Sequence, residues 1–188
     1  MKNKHLLFTF IVLAFCCLLY TQSLTAIAKT SLPKRMTLDF SSGAGGWYTE
    51  INVKKDGTFT GHYQDMDMGD SGTKYPNGTM YYSDFSGSFT DIQKKSDNRY
   101  TLTLSKLTYA QADQTSFKDG IRYISSLPYG IEKGKSFVLY CPGYKISKLP
   151  QNKEAKGWYH MYLYDTKTDY LKGYMLYNQK PKYVFYGE

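Results

Sequence analysis

Cysteine and histidine are scarce in this chain. Its 188 residues contain three of each, and two of the cysteines, Cys16 and Cys17, lie in an apolar N-terminal run. With that run set aside, Cys141 stands alone, so no intramolecular disulfide and no cysteine cluster for zinc can be built. The fold has to stand on packing. His62 and His160 are then the remaining histidines, which confines acid–base and metal-ligating chemistry to carboxylates that meet one of them. No stretch of five or six like charges occurs, so the formal net charge of +8 is scattered over the chain. We read that charge first as a solubility device. An exported basic protein also meets anionic wall polymers, acidic polysaccharide or phospholipid before nucleic acid, and no nucleic-acid partner is expected. Long apolar stripes with a period of 3.6 are missing too, which excludes a helical bundle.

What is present begins with an export signal. Lys2 and Lys4 precede the run LLFTFIVLAFCCLLY at residues 6–20, and a polar stretch then ends in Ala26-Ile27-Ala28. Basic, apolar, then small is the order of a secretory signal, with cleavage after Ala28. The apolar run is shorter than the roughly 18 to 20 residues a spanning helix needs, so no stable transmembrane anchor is expected after cleavage. Lipidation at Cys16 is the lesser alternative, because bulky Phe15 sits where that signal wants a small residue. Cleavage removes Lys2 and Lys4 and no acid, lowering the formal charge from +8 to +6. Residues 29–188 then suit a single domain with one core.

From Trp47 onward the chain alternates with period two between turn residues, as half-buried strands do. Trp47, Thr49, Ile51 and Val53 share one face, Asp56-Gly57 makes a turn, and Phe59, Gly61 and Tyr63 resume that face. Tyr81, Ser83, Phe85, Gly87 and Phe89 alternate next. A turn at residues 94–98 leads back through Tyr100, Leu102 and Leu104. Further strands are predicted at residues 36–40, 136–141, 158–164, 170–177 and 182–186. Short helical turns are predicted at 108–117, 146–149 and 153–156, inside and after a mostly irregular crossing over 109–135. The expected fold is all-β, a single antiparallel, calycin-like barrel of about eight to ten strands, with a β-sandwich as the alternative.

Residues 65–79, DMDMGDSGTKYPNGT, invite two chemical readings. Gly69-Asp70-Ser71-Gly72 is similar to the nucleophile motif of chymotrypsin-like proteases, but too little chain and a single histidine, His62, precede Ser71, and Thr73 replaces a further glycine. Counted from Asp65 as a calcium loop, position 5 is Gly69, position 6 is Asp70 and position 12 is Pro76, which is no EF-hand. A looser Ca2+ site from Asp65, Asp67 and Asp70 stays open beside a solvated turn. No other cofactor is expected. Asn77-Gly78-Thr79 fits a glycosylation sequon, and Asn-Gly is also a favoured tight turn.

His62 and His160 read as strand positions, Cys141 as a small core hydrophobe, and Glu50 and Asp84 as acids that could meet across strands. Tyrosine is abundant, with 20 in the chain and eight between Tyr159 and Tyr186. Tyr suits strands and buries a ring while keeping a wet hydroxyl. It also suits a ligand surface, and Trp47, Tyr48, Trp158 and Tyr162 are the candidate binding residues.

Gly45-Gly46-Trp47 is similar to the Gly-x-Trp that opens the first strand of lipocalin-type and avidin-type barrels. Taken with DGTFTGHYQDMDMGDSGTKYPNGT (56–79), SDFSG (83–87), LPYG (127–130) and FVLYCPG (137–143), SGAGGW (42–47) makes most of the chain resemble an uncharacterised family of exported proteins and lipoproteins of Gram-positive bacteria. That resemblance implies secretion or surface anchoring and brings no catalytic residues. The leading functional reading is a secreted, non-enzymatic binding protein for a small apolar molecule or a glycan. The alternatives are a cell-wall hydrolase using carboxylates of the acidic loop with His62, and a module that binds or inhibits another protein through a strand edge. A cavity of several hundred cubic ångströms inside the barrel would mark a small-molecule site, whereas a filled barrel moves function to its surface. The exported protein should begin at Lys29 by intact-mass measurement, and a product retaining residues 1–28 or lipidated at Cys16 contradicts this reading.

Overall fold

A computed structural model describes residues 30–164 and 167–187, so the expected signal segment lies outside the described residues. The strands are β1 (Met36–Ser41), β2 (Trp47–Val53), β3 (Thr58–Asp67), β4 (Thr79–Ser96), β5 (Arg99–Tyr109), β6 (Thr115–Lys118), β7 (Ile121–Ser125), β8 (Ser136–Tyr140), β9 (Tyr174–Asn178) and β10 (Tyr183–Gly187). One α-helix, α1 (Lys153–Leu163), follows a 3-10 turn at Ile146–Lys148. Eight strands close a barrel in the order β1, β2, β3, β4, β5, β8, β9, β10, and β10 returns to β1. Each neighbour pair in that ring is antiparallel, so the expected all-β barrel is what the chain forms.

The predicted hairpins have the predicted faces. Thr49, Ile51, Val53, Phe59 and Tyr63 point inward from β2 and β3, and Ser83, Phe85, Phe89, Tyr100 and Leu102 from β4 and β5. The two glycines on that face are required by close approach. Gly61 lies opposite Phe85 and Gly87 opposite Phe59, and each aromatic ring folds over the glycine beside it. A Cβ at Gly61 would lie 2.3 Å from the Phe85 ring.

Three expectations are corrected. Residues 158–164 are not a strand; 158–163 continue α1 and Tyr164 caps its C-terminus, because Asn152 starts that helix by accepting the Ala155 N–H at 2.8 Å. Glu154, Ala155 and Lys156 are good helix formers. Ala155 and Tyr159, four apart, become its buried face. Residues 108–117 are not helical; they end β5 and enter β6, and the crossing holds the β6–β7 hairpin, whose β7 runs parallel to the start of β4. The ninth strand starts at Tyr174 rather than near residue 170.

All five residues of β9 are buried, which period-two reasoning does not anticipate. Its Tyr174 and Leu176 face the barrel interior, whereas Met175 and Tyr177 pack with Val138, Tyr140, Val184, Ala155 and Tyr159 in a second core beneath α1. The barrel interior is solid. The space between Leu32, Met36, Leu38, Val53, Phe89, Leu102, Leu139 and Leu176 has no room for a water molecule. Leu32 closes one end, tied by its N–H to the Lys55 carbonyl at 2.8 Å.

The segment before β8 plugs the other end. Thr49 Oγ1 donates to the Tyr129 carbonyl at 2.7 Å, and the Asn178 amide donates to the carbonyls of Gly130 and Lys133. Gly130, at φ +96°, passes so near Phe40 that a Cβ would sit 2.6 Å from its ring. Overpacking sets the prediction for this fold: Gly61→Ala should cost about 1–3 kcal/mol in urea unfolding. Gly157→Ala, helical with open space around it, should add about 0.5–1 kcal/mol. Equal midpoints for the two variants would contradict this packing.

Candidate functional site

The plugged end of the barrel is built from aromatic rings. Phe40, at the end of β1, lies 4.9 Å from Trp47, 4.7 Å from Trp158, 4.9 Å from Tyr183, 5.6 Å from Tyr129 and 5.2 Å from Phe185, centroid to centroid. Trp47 and Trp158, predicted from sequence to share a surface, are half-buried and 6.1 Å apart. The Tyr129 hydroxyl donates to that of Tyr183 at 3.2 Å, and burial followed by this bond holds the Tyr129 phenol above its ordinary range.

Outside this cluster lies a groove of about 560 Å³ between α1 and the start of β10. Trp158, Met161, Gly157, Pro181 and Tyr183 form its walls, with Lys153 and Glu154 at its edge. Trp158 therefore has two roles, because one part of the indole closes the barrel and another lines the groove. Tyr183, Pro181 and Met161 were not singled out in the sequence. Their convergence depends on reading 158–164 as helix and on the register of β10, and no local signal carries either.

The other two predicted binding residues do different work. Tyr162 fastens α1 to the barrel, donating to the Asp39 carbonyl at 3.1 Å, accepting the Ser41 N–H at 3.3 Å and stacking on Tyr186 at 5.3 Å. Tyr48 alternates with inward Thr49 and so lies on the outer face of β2, where its hydroxyl donates to Gln64 at 3.3 Å.

Asp65, Asp67 and Asp70, left open in the sequence as a Ca2+ site, do not converge on one point. Asp67 accepts the N–H groups of Gly69 and Asp70 at 2.9 and 3.1 Å, a local turn, while Asp65 accepts the Tyr63 hydroxyl. Asp70 turns to Arg122 on β7, which also donates to Thr79 and to the Tyr75 hydroxyl and lies 4.2 Å over the Tyr75 ring. Among the described residues no group of three His, Cys, Asp or Glu could hold a metal. The loop is instead a clamp, with Asn77 donating to the Asp119 carbonyl of the β6–β7 turn at 3.0 Å.

His62 meets a carboxylate, though not one from that loop. Its Nδ1 is 2.7 Å from Asp84 Oδ1. The register places Asp39 opposite Glu50, Glu50 opposite His62 and His62 opposite Asp84 in one row on the outer sheet face. Burial and then Glu50 hold the Asp39 carboxyl above its usual range. His160 lies on α1, stacked against Tyr159 at 5.2 Å. It shares no strand face with Trp158 and Tyr162. Cys141 is buried, and that burial pushes its thiol up to about 11, which makes it a poor nucleophile at neutral pH.

Comparison of the chain with protein families, with curated proteins and with solved structures finds no match in any of the three.

Two carboxyls give opposite pH dependences. Burial works to raise Asp70, but bonds from Arg122 and Thr79 hold it below its ordinary 3.8. Its contribution is present above that value and lost as pH falls through the depressed pKa. Glu132 in the plug is raised above 4.5 by burial, so its contribution is full below 4.5 and lost as pH rises through the folded pKa. Urea midpoints measured against pH should therefore show Asp70→Asn with a smaller loss on acidification. Glu132→Gln should show a smaller loss between acid and neutral pH, and parallel profiles for wild type and both variants would contradict these assignments.

Proposed function

We propose that this protein is an exported, non-enzymatic binding protein that holds a glycan in the aromatic groove at one end of a filled barrel. The observation that carries this reading is the convergence of Trp158, Tyr183, Met161 and Pro181 on one open groove. Rigid amphipathic rings suit the C–H faces of sugars and lose little entropy on binding. Lys153 and Glu154 at the rim supply a donor and an acceptor for hydroxyl groups. A small apolar ligand inside the barrel is disfavoured, because the interior has no room for it. Export rests on the residue 1–28 pattern and on the resemblance to exported Gram-positive proteins. Docking of another protein on a strand edge has less support, because β6, with four exposed residues, is a short edge of the kind that limits pairing.

One observation favours the hydrolase as a second reading, namely the His62–Asp84 contact. A carboxylate-oriented imidazole is a general-base arrangement. The pair sits on the outer sheet face, however, and lines neither the groove nor the interior. Hydrolysis of wall polymer that His62→Gln abolishes would replace the binding reading.

Titration with an N-acetylglucosamine hexamer should change the intrinsic tryptophan fluorescence saturably. Trp158→Ala should weaken binding about tenfold or more, since a central aromatic anchor carries a large share of binding energy, and Tyr48→Ala should leave it unchanged. No saturable change, or equal affinity in the Trp158→Ala variant, would contradict the proposal.

A further inference from the structure

A second depression of about 720 Å³ opens beside the groove, lined among others by Leu104, Lys106, Glu132, Lys135, Gln179 and Lys180. It arises from a seam in the barrel. β5 pairs with β8 only over Arg99–Thr103, and the last tie is the Leu104 N–H to the Lys135 carbonyl at 2.7 Å. Past that bond β5 continues along β4 as far as Tyr109, while the chain before β8 turns away as the plug. The depression occupies the resulting gap.

Its charge is one-sided. Lys106, Lys135 and Lys180 are exposed, and among the described residues none of them pairs with a carboxylate, since the ion pairs formed use Lys94, Lys133, Arg122 and His62. Glu132 is the acid in the lining, but its side chain is 8% exposed and one carboxyl oxygen is buried without a partner. Three exposed ammonium groups against this one withdrawn carboxyl leave the lining positive on its solvent side.

The two depressions adjoin. Gln179 and Lys180 line the lysine hollow, and Pro181 and Tyr183 line the aromatic groove. Lys180 and Pro181 are consecutive, with Cα atoms about 3.8 Å apart. A polymer crossing the β9–β10 turn therefore has the aromatic groove on one side of Lys180-Pro181 and, on the other, the hollow that holds Lys180 with Lys106 and Lys135.

We infer that the ligand is an acidic glycan, a sugar or polyol chain whose carboxylate or phosphate groups reach Lys106, Lys135 and Lys180 while a neighbouring unit lies on Trp158 and Tyr183. This inference rests on the groove being a glycan site, and the test keeps the two apart. Calorimetric titrations compare a neutral N-acetylglucosamine hexamer, a hyaluronan hexasaccharide carrying uronates, and a short poly(glycerol phosphate). At least one acidic probe should bind about tenfold or more tighter than the neutral one, and that excess should shrink as salt rises from about 0.05 to 0.5 M. The combined variant Lys106→Ser, Lys135→Ser, Lys180→Ser should lose the excess and keep the neutral affinity, while Trp158→Ala weakens every probe. Whichever acidic probe shows the excess identifies the anionic group. Equal affinity for neutral and acidic probes overturns the inference and leaves the groove reading standing. So does an acidic excess that survives the serine substitutions or is insensitive to salt. Failure of all three probes to bind overturns both.

Discussion

The packing of Phe40 is the constraint on which the rest of this molecule depends. One fully buried ring from β1 touches rings from β2, the plug, α1 and β10. Truncating such a side chain costs about 3–5 kcal/mol, but its importance is architectural. It holds the Tyr129 plug across the barrel mouth and draws Trp158, with the helix that carries it, against the rim. A barrel sealed in this way has no interior to offer a ligand. Trp158 and Tyr183, two of the rings that seal it, also line the groove outside, so the seal and the groove share residues.

Electrostatics gives the barrel two unlike sides. On β1 to β4 the outer row carries Asp39, Glu50 and Asp84 around His62, and partial burial followed by the neighbouring Glu50 raises Asp39. Along the seam between β5 and β8 the exposed charge is lysine. A field of this shape repels an anionic chain from one face and draws it to the other. The scattered net charge that looked like a solubility device in the sequence is locally asymmetric once folded, because β-sheet register collects residues that lie far apart in the chain.

The first two hairpins were legible in the sequence because each strand there is buried on one face only. Thr49, Ile51, Val53, Phe59 and Phe85 fall inward as alternation requires. The C-terminal third was harder to read for a physical reason. β9 is buried on both faces by the barrel and by α1, so alternation disappears, and an aromatic-rich run such as WYHMYLY reads equally as strand or helix until the Asn152 cap is recognised. Of the four residues singled out in the sequence, Trp158 lines the groove; Trp47 lies 6.1 Å from it in the aromatic seal, Tyr162 fastens the helix, Tyr48 lies on the outer face of β2, and Tyr183 enters through β10. The role of Asp70 in the acidic loop was not legible for a related reason, since its partner is Arg122, 52 residues later, on a hairpin that the sequence showed only as an irregular crossing.

Backbone amide shift mapping by NMR with a hyaluronan hexasaccharide tests the central claim, that binding occurs on the sealed aromatic end of the barrel and not inside it or on its acidic face. Perturbations should concentrate at residues 104–107, 132–136, 153–161 and 179–183 on both sides of the β9–β10 turn. Perturbations centred on Asp39, Glu50, His62 and Asp84, or on the interior residues around Leu32 and Met36, would contradict it.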